Sequence, residues 1–288
     1  MVAQQSGKKF ISPSAWFSLI YPAAWGEFED TEDSFLFYNP NAWTGNFRIS
    51  AFKKDAKFSD AARYGQDSVR AELKSNPLAT MVRVGDLDCA YSKEVFEEAG
   101  VVYVSHLWIT GIKNVAFECT FTVLQEGNVA DAERIIATLQ VREDGKKYPA
   151  ELIPIRVSEI SFVNESYDLT VSAVKKLLKK DFQGIEDDLP NLQKVIDSGT
   201  ILPKQKDYWL AFGVTICVIL ANEIEGMEWK TLIDGNREAP VLEYAESGTV
   251  IDPMRLVWSK VKAGQACDVV EEYRSVLFSL QSNLKQRK

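Results

Sequence analysis

The chain has 288 residues, 46% of them hydrophobic and 26% charged, enough for two domains with substantial cores. The net charge of −8 is evenly spread: 16 Lys+Arg stand against 20 Asp+Glu over residues 1–150, and 17 against 21 in the remainder. No basic domain hides inside the acidic average, which excludes nucleic acid as the main partner.

The first nine residues, Met1 to Lys9, contain no apolar run of the kind a signal peptide needs. The longest apolar run, 208–221, is interrupted by Gly213 and Thr215 and is too short for a bilayer. No membrane insertion is expected. Cys89, Cys119, Cys217 and Cys267 lie far apart with no Cys-x-x-Cys pair, and Cys119 alternates with Val115, Phe117, Phe121 and Val123. Buried reduced thiols, and with them a soluble cytoplasmic protein, are the expectation.

Residues 10–25 open the chain with an aromatic-rich strand that stops at Tyr21-Pro22 and is followed by Trp25. Strands are predicted at 35–38 and 47–52, joined by the turn-forming run Asn39-Pro40-Asn41-Ala42-Trp43-Thr44-Gly45. Ser59 is positioned to cap a helix that runs to about Lys74 and stops before Asn76-Pro77. Three further strands follow at 88–96, 101–110 and 114–124, the last with a clean period of two. A helix from about Asn128 carries Ala132, Ile135, Ile136 and Leu139 at helical spacing.

The Pro-x-x-Trp after the first strand, the aromatic hairpin, the helix, the three-strand meander and the closing helix through Thr138-Leu139-Gln140-Val141 together resemble a PsbP-like α/β/α sandwich. That fold is named for an extrinsic subunit of photosystem II. It is shared by small bacterial lipoproteins and a eukaryotic GTPase-binding factor. The resemblance covers about residues 10–142 and implies an antiparallel-sheet domain that works by docking rather than by catalysis. Fold alone assigns no activity, and Tyr21, Pro22 and Trp25 match only its structural turn.

A charge- and Pro-marked stretch, 146–154, reads as a connection, dividing the chain into domains at 1–148 and 155–288. Beyond it Tyr167, Val171, Val174 and Leu178 lie on one helical stripe, a second helix occupies 186–197, and a third, apolar nearly all round, runs over 204–225. Residues 229–233 and 241–244, about an Asp234-Gly235 turn, read as a small antiparallel sheet. Asp252-Pro253 starts a further helix, and Val269, Tyr273, Val276, Leu277, Leu280 and Leu284 form the stripe of the last one. The expected class is α+β, helix-rich in this half. With Gly213, Trp229, Asp252 and Pro253, residues 203–264 resemble a bacterial domain of unknown function. They depart from its pattern at Cys217-Val218, where a Gly-Glu pair is usual. The whole chain resembles uncharacterised two-domain bacterial proteins.

No Gly-x-Ser-x-Gly, P-loop or Gly-x-Gly-x-x-Gly motif occurs, and His106, the one histidine, sits mid-strand beside Val104 and Trp108. No catalytic residue, metal or cofactor is therefore assigned. The acidic runs Glu27/Glu29/Asp30/Glu32/Asp33 and Glu186/Asp187/Asp188 lack calcium-loop spacing and read as solvated segments. Lys175, Lys176, Lys179 and Lys180 sit at a helix end, where they oppose the macrodipole. The functional expectation is non-catalytic binding of a protein partner, with Trp43 and Tyr38 as candidate contacts and the second domain as a candidate recognition element; the alternative for Trp43 is a side chain folded back on its hairpin. The rival is an enzyme or small-ligand binder using an interdomain cleft, with Glu223, Glu225 and Trp229 as its candidate residues. A flat aromatic patch favours the first and a pocket of converging buried polar groups the second.

Overall fold

In the computed structural model, which describes residues 7–31, 33–143, 145–245 and 247–287, the chain divides into two compact units, Met1–Tyr148 and Pro149–Lys288. Each has its own hydrophobic core.

In the first unit the strands are β1 (Gly7–Ile11), β2 (Phe17–Pro22), β3 (Gly26–Thr31), β4 (Ser34–Tyr38), β5 (Asn46–Lys53), β6 (Thr80–Val84), β7 (Leu87–Glu98), β8 (Val101–Ile112), β9 (Val115–Leu124) and β10 (Gln140–Val141). Its helices are α1 (Tyr64–Ser75) and α2 (Ala130–Ala137). An antiparallel sheet runs in the order β3-β4-β5-β9-β8-β7-β6, and a small one in the order β1-β2-β10. Period-two alternation decides the layering. Phe117, Cys119 and Phe121 of β9 are buried opposite Ala51, Ile49 and Phe47 of β5, and Trp108 of β8 joins the same face. Onto this inner face pack Ile135 and Ile136 of α2, with Phe17, Leu19 and Tyr21 of β2. Each fully buried phenylalanine contributes about 1.5–3 kcal/mol. Helix α1 lies on the outer face and reaches β7, β8 and β9, with Asn76 at its end bonded to Ser92 of β7. This is the expected α/β/α sandwich.

Several local expectations are corrected. The opening aromatic segment is two strands. The Phe17 N–H donates to Ser12 Oγ (3.1 Å) and the Ser12 N–H to the Phe17 carbonyl (3.0 Å), which closes a turn with Ser14 and Ala15 at φ 61° and 49°. Ser59 does not cap α1. A 3-10 turn, Ala61–Arg63, precedes the helix, and Asp60 is occupied by the Lys54 ammonium at 2.6 Å. The acidic run read as a solvated segment contributes Glu27 through Thr31 to the edge strand β3, while Glu32 lies outside the described residues. Edge strands tolerate such charge because it discourages pairing with other chains.

The second unit contains β11 (Tyr148–Pro154), β12 (Met227–Gly235), β13 (Arg237–Tyr244) and β14 (Thr249–Ile251), hydrogen-bonded in that order. Its helices are α3 (Val157–Leu178), α4 (Leu189–Asp197), α5 (Lys206–Glu223), α6 (Pro253–Leu256), α7 (Trp258–Lys262) and α8 (Val269–Arg287). Residues 148–154, expected as connection, are thus an edge strand, a place where Pro149 and Pro154 break no interior ladder. Central α5 buries Phe212, Val214, Ile216, Ile219 and Leu220 on several sides. Gly213 lets α6 approach, since a Cβ there would strike the Pro253 carbonyl oxygen. The Asp252 carboxylate accepts the Met254 N–H at 3.1 Å, capping α6 as its Asp-Pro start predicts. Val269, Tyr273 and Leu280 of α8 are buried as the stripe predicts, and the Leu284 side chain lies outside those described.

Candidate interaction surface

Beyond the ends of the flanking helices, the large sheet leaves a distinctive outer surface. Residues directly opposite in register share a face, so Tyr38, Asn46, Thr122, Ser105 and Glu94 form one outward row across β4, β5, β9, β8 and β7. The next row is Leu124, Tyr103 and Phe96, and Glu98 stands opposite Val101 beyond it. The β7–β8 hairpin turns at Ala99 and Gly100, with φ 50° and 79°, and residues 93–101 are exposed on both faces. It projects as a two-stranded arm with Val95 57%, Phe96 37% and Val101 39% exposed, and Leu124 of β9 beside it 45% exposed.

Trp43 belongs to this arm's surface. Its indole is 44% exposed and meets the Tyr103 ring edge-on, with centroids 5.8 Å apart, while Tyr103 in turn stacks on Phe96 at 5.5 Å. The loop that presents it is ordered by its own chemistry. Asn39 Oδ1 accepts the N–H groups of Asn41 (3.0 Å) and Ala42 (3.3 Å). Gly45 closes the loop at φ 112°, where any Cβ would run into the Phe121 ring. Tyr38 shares the outer face but joins a different group. It stacks on Phe28 of β3 at 4.0 Å, and the row leaves Asn46 and Thr122 between it and the arm. The structure therefore separates the two residues that sequence reasoning put together. It adds Phe96 and Tyr103, which strand alternation alone did not single out because alternation does not reveal which face stays uncovered.

The candidates for an enzymatic reading fall elsewhere. Exposed Glu223 uses its carboxylate to accept the Glu186 N–H at 3.2 Å. Buried Tyr273 is pushed up to about 12 by desolvation, with Glu186 and Glu223 adding to it. Glu225 is exposed, and Trp229 packs half-buried on the core of its unit. The buried Asp188 carboxylate is occupied by the N–H groups of Gln183 (2.7 Å) and Gly184 (2.9 Å), so it organises a loop. Arg156, 2% exposed, is held by Glu159 and Glu238. Among the described residues no three His, Cys, Asp or Glu side chains group as a metal site would, and no helix is long and apolar enough to cross a membrane. The four cysteines are buried and unpaired, with burial raising their thiols above the ordinary range.

His106 is a packed sheet residue on the inner face, its Nδ1 2.7 Å from the Tyr91 hydroxyl. Burial lowers its proton affinity, and Lys93 lowers it further. A base depressed on folding binds fewer protons in the native state than in the unfolded chain. Its contribution is therefore intact above about pH 6.5 and is lost as pH falls below that value. His106→Gln should flatten the decline in melting temperature between about pH 6.5 and 5. An unchanged slope would show that His106 is not the titrating group.

Comparison with known proteins adds kinship but no chemistry. Residues 5–164 match a domain of unknown function, DUF3805, and residues 188–273 match another, DUF3806. A crystal structure from Bacteroides thetaiotaomicron is 63% identical, with a TM-score of 0.89 over 94% of this chain and 98% of that one. The solution structure of cyanobacterial PsbP from Synechocystis sp. PCC 6803 is 10% identical, with a TM-score of 0.27 over 49% of this chain and 95% of that one. LpqN, involved in cell envelope biogenesis of Mycobacterium tuberculosis, is 14% identical, with a TM-score of 0.27 over 49% and 88%. No curated protein matches. Because the DUF3805 match spans more than half of the residues, the chain belongs to the DUF3805 family, here joined to a DUF3806 domain.

Proposed function

We propose that the N-terminal unit is a non-catalytic binding module and that the arm surface of Trp43, Phe96 and Tyr103 docks a protein partner. The observation that carries this reading is a contiguous aromatic group: exposed Trp43, in a loop that its own hydrogen bonds and Gly45 hold in place, meets half-buried Tyr103 edge-on, and Tyr103 stacks on exposed Phe96 of the projecting hairpin. Large aromatic side chains left in water cost free energy unless something covers them, and ordered aromatic anchors dominate interface energetics. Pre-ordering the loop also reduces the entropy lost on binding.

A paired substitution, Trp43→Ala with Phe96→Ala, separates binding from folding. Exposed positions outside a core shift stability by about 0.5 kcal/mol or less each, so the melting temperature should stay close to that of the parent. Proteins recovered with the tagged parent chain from its native cell should be lost with the variant. A fall in melting temperature typical of core truncation, or unchanged recovery, would contradict the proposal.

A further inference from the structure

The arm surface is acidic as well as aromatic, and this points to the chemistry of what it binds. Along β7 the outward positions alternate Glu94, Phe96 and Glu98, so two exposed carboxylates flank the central ring on its own face. Glu126 follows the end of β9, where the Gln125 N–H bonds the Val102 carbonyl at 3.2 Å. The facing loop, 39–45, carries no charge at all. Lys93, the one cation of the hairpin, has the opposite parity to Glu94 and stands opposite His106 on the inner face. The outer face of the arm thus combines two carboxylates with the rings of Phe96 and Tyr103 and with Trp43 beside them, while the cation Arg48 of β5 lies on the same sheet face in the register row of Thr120 and Leu107.

Resting on the docking reading above, we propose that the partner presents a basic segment in which Lys or Arg alternates with apolar side chains. The apolar groups would cover the rings, and the cations would meet Glu94 and Glu98 and the ring faces. A second copy of this chain is disfavoured as occupant, because pairing two such surfaces would oppose like charges.

The test uses two fluorescent synthetic peptides, one of Lys, Leu and Ala and one with Glu in place of every Lys, titrated against the full chain. The parent should bind the Lys peptide, weaken as salt is raised, and bind the Glu peptide at least about tenfold more weakly. Glu94→Lys with Glu98→Lys should cost about tenfold. The same charge change placed at Asp234 and Glu271 in the second unit should cost much less. Equal losses from the two pairs would overturn the proposal, since net charge alone would then explain binding. Binding of neither peptide, or indifference to their charge, would overturn it as well. Concentration-dependent dimerisation lost with Trp43→Ala would replace it with self-association. The docking reading fails separately, if Trp43→Ala with Phe96→Ala leaves Lys-peptide affinity unchanged. Melting temperatures of all variants, matched to the parent, exclude unfolding as the cause.

Discussion

Arg156→Leu is expected to destabilise the C-terminal unit by about 3–5 kcal/mol. The Arg156 guanidinium is buried where α3 begins, with Nε 3.0 Å from Glu159 and Nη2 2.8 Å from Glu238 of β13. Its backbone N–H donates to Thr231 Oγ1 at 3.1 Å, and that hydroxyl lies 3.3 Å from Glu159. Burial alone lowers the proton affinity of Arg156, but Glu159 and then Glu238 outweigh it, and the net shift is upward. Removing the cation leaves two carboxylates facing each other in a poorly hydrated place. Replacing all three charged groups by apolar ones of similar volume should restore much of the loss, because a fully apolar substitute leaves no unpaired charge. Chemical unfolding followed by a probe in the second unit checks both variants. A cost below about 1 kcal/mol for Arg156→Leu would place the triad in the surface-pair class.

Phe117→Ala should cost the N-terminal unit about 3–5 kcal/mol. Phe117 is fully buried on the inner sheet face opposite Ala51 and Thr110, and its ring meets Phe17 edge-on at 5.3 Å. Truncation would leave a cavity between two sheets that pack through aromatic rings, and such a site relaxes only in part. Thermal and denaturant melts of the variant read the effect. A cost comparable with that of Trp43→Ala would show that the inner and outer faces are not energetically distinct.

Where the sequence was readable, one physical signal dominated. Period-two alternation from Val115 to Val123 placed β9 and its buried face, and the apolar surround of 208–221 placed α5 at the centre of its unit. The misreadings share a cause, since edge elements carry little apolar signal. Strand β3 holds Glu27, Glu29 and Asp30, strand β6 exposes Thr80, Met81 and Arg83, and β11 is framed by Pro149 and Pro154. Each pairs with only one neighbour in its sheet. The candidate surface was half legible. A tryptophan inside a turn-rich loop marked Trp43, but its contact with Tyr103 joins residues far apart in sequence. Nothing in a strand pattern states that the end of a hairpin will stay exposed on both faces. Glu223, Glu225 and Trp229 attracted attention as acids beside an aromatic, a pattern that does not distinguish a reactive cleft from a loop-organising carboxylate.

The most direct test of the binding role is covalent capture from the arm itself. With a photoreactive benzoylphenylalanine in place of Phe96, irradiation of the living cell should yield a discrete adduct whose mass exceeds that of the chain. The adduct should disappear when Trp43→Ala is added, and a probe in place of exposed Ile160 in the second unit should not yield it. An arm that gives no adduct, or the same adducts as position 160, would contradict a docking surface at Trp43, Phe96 and Tyr103.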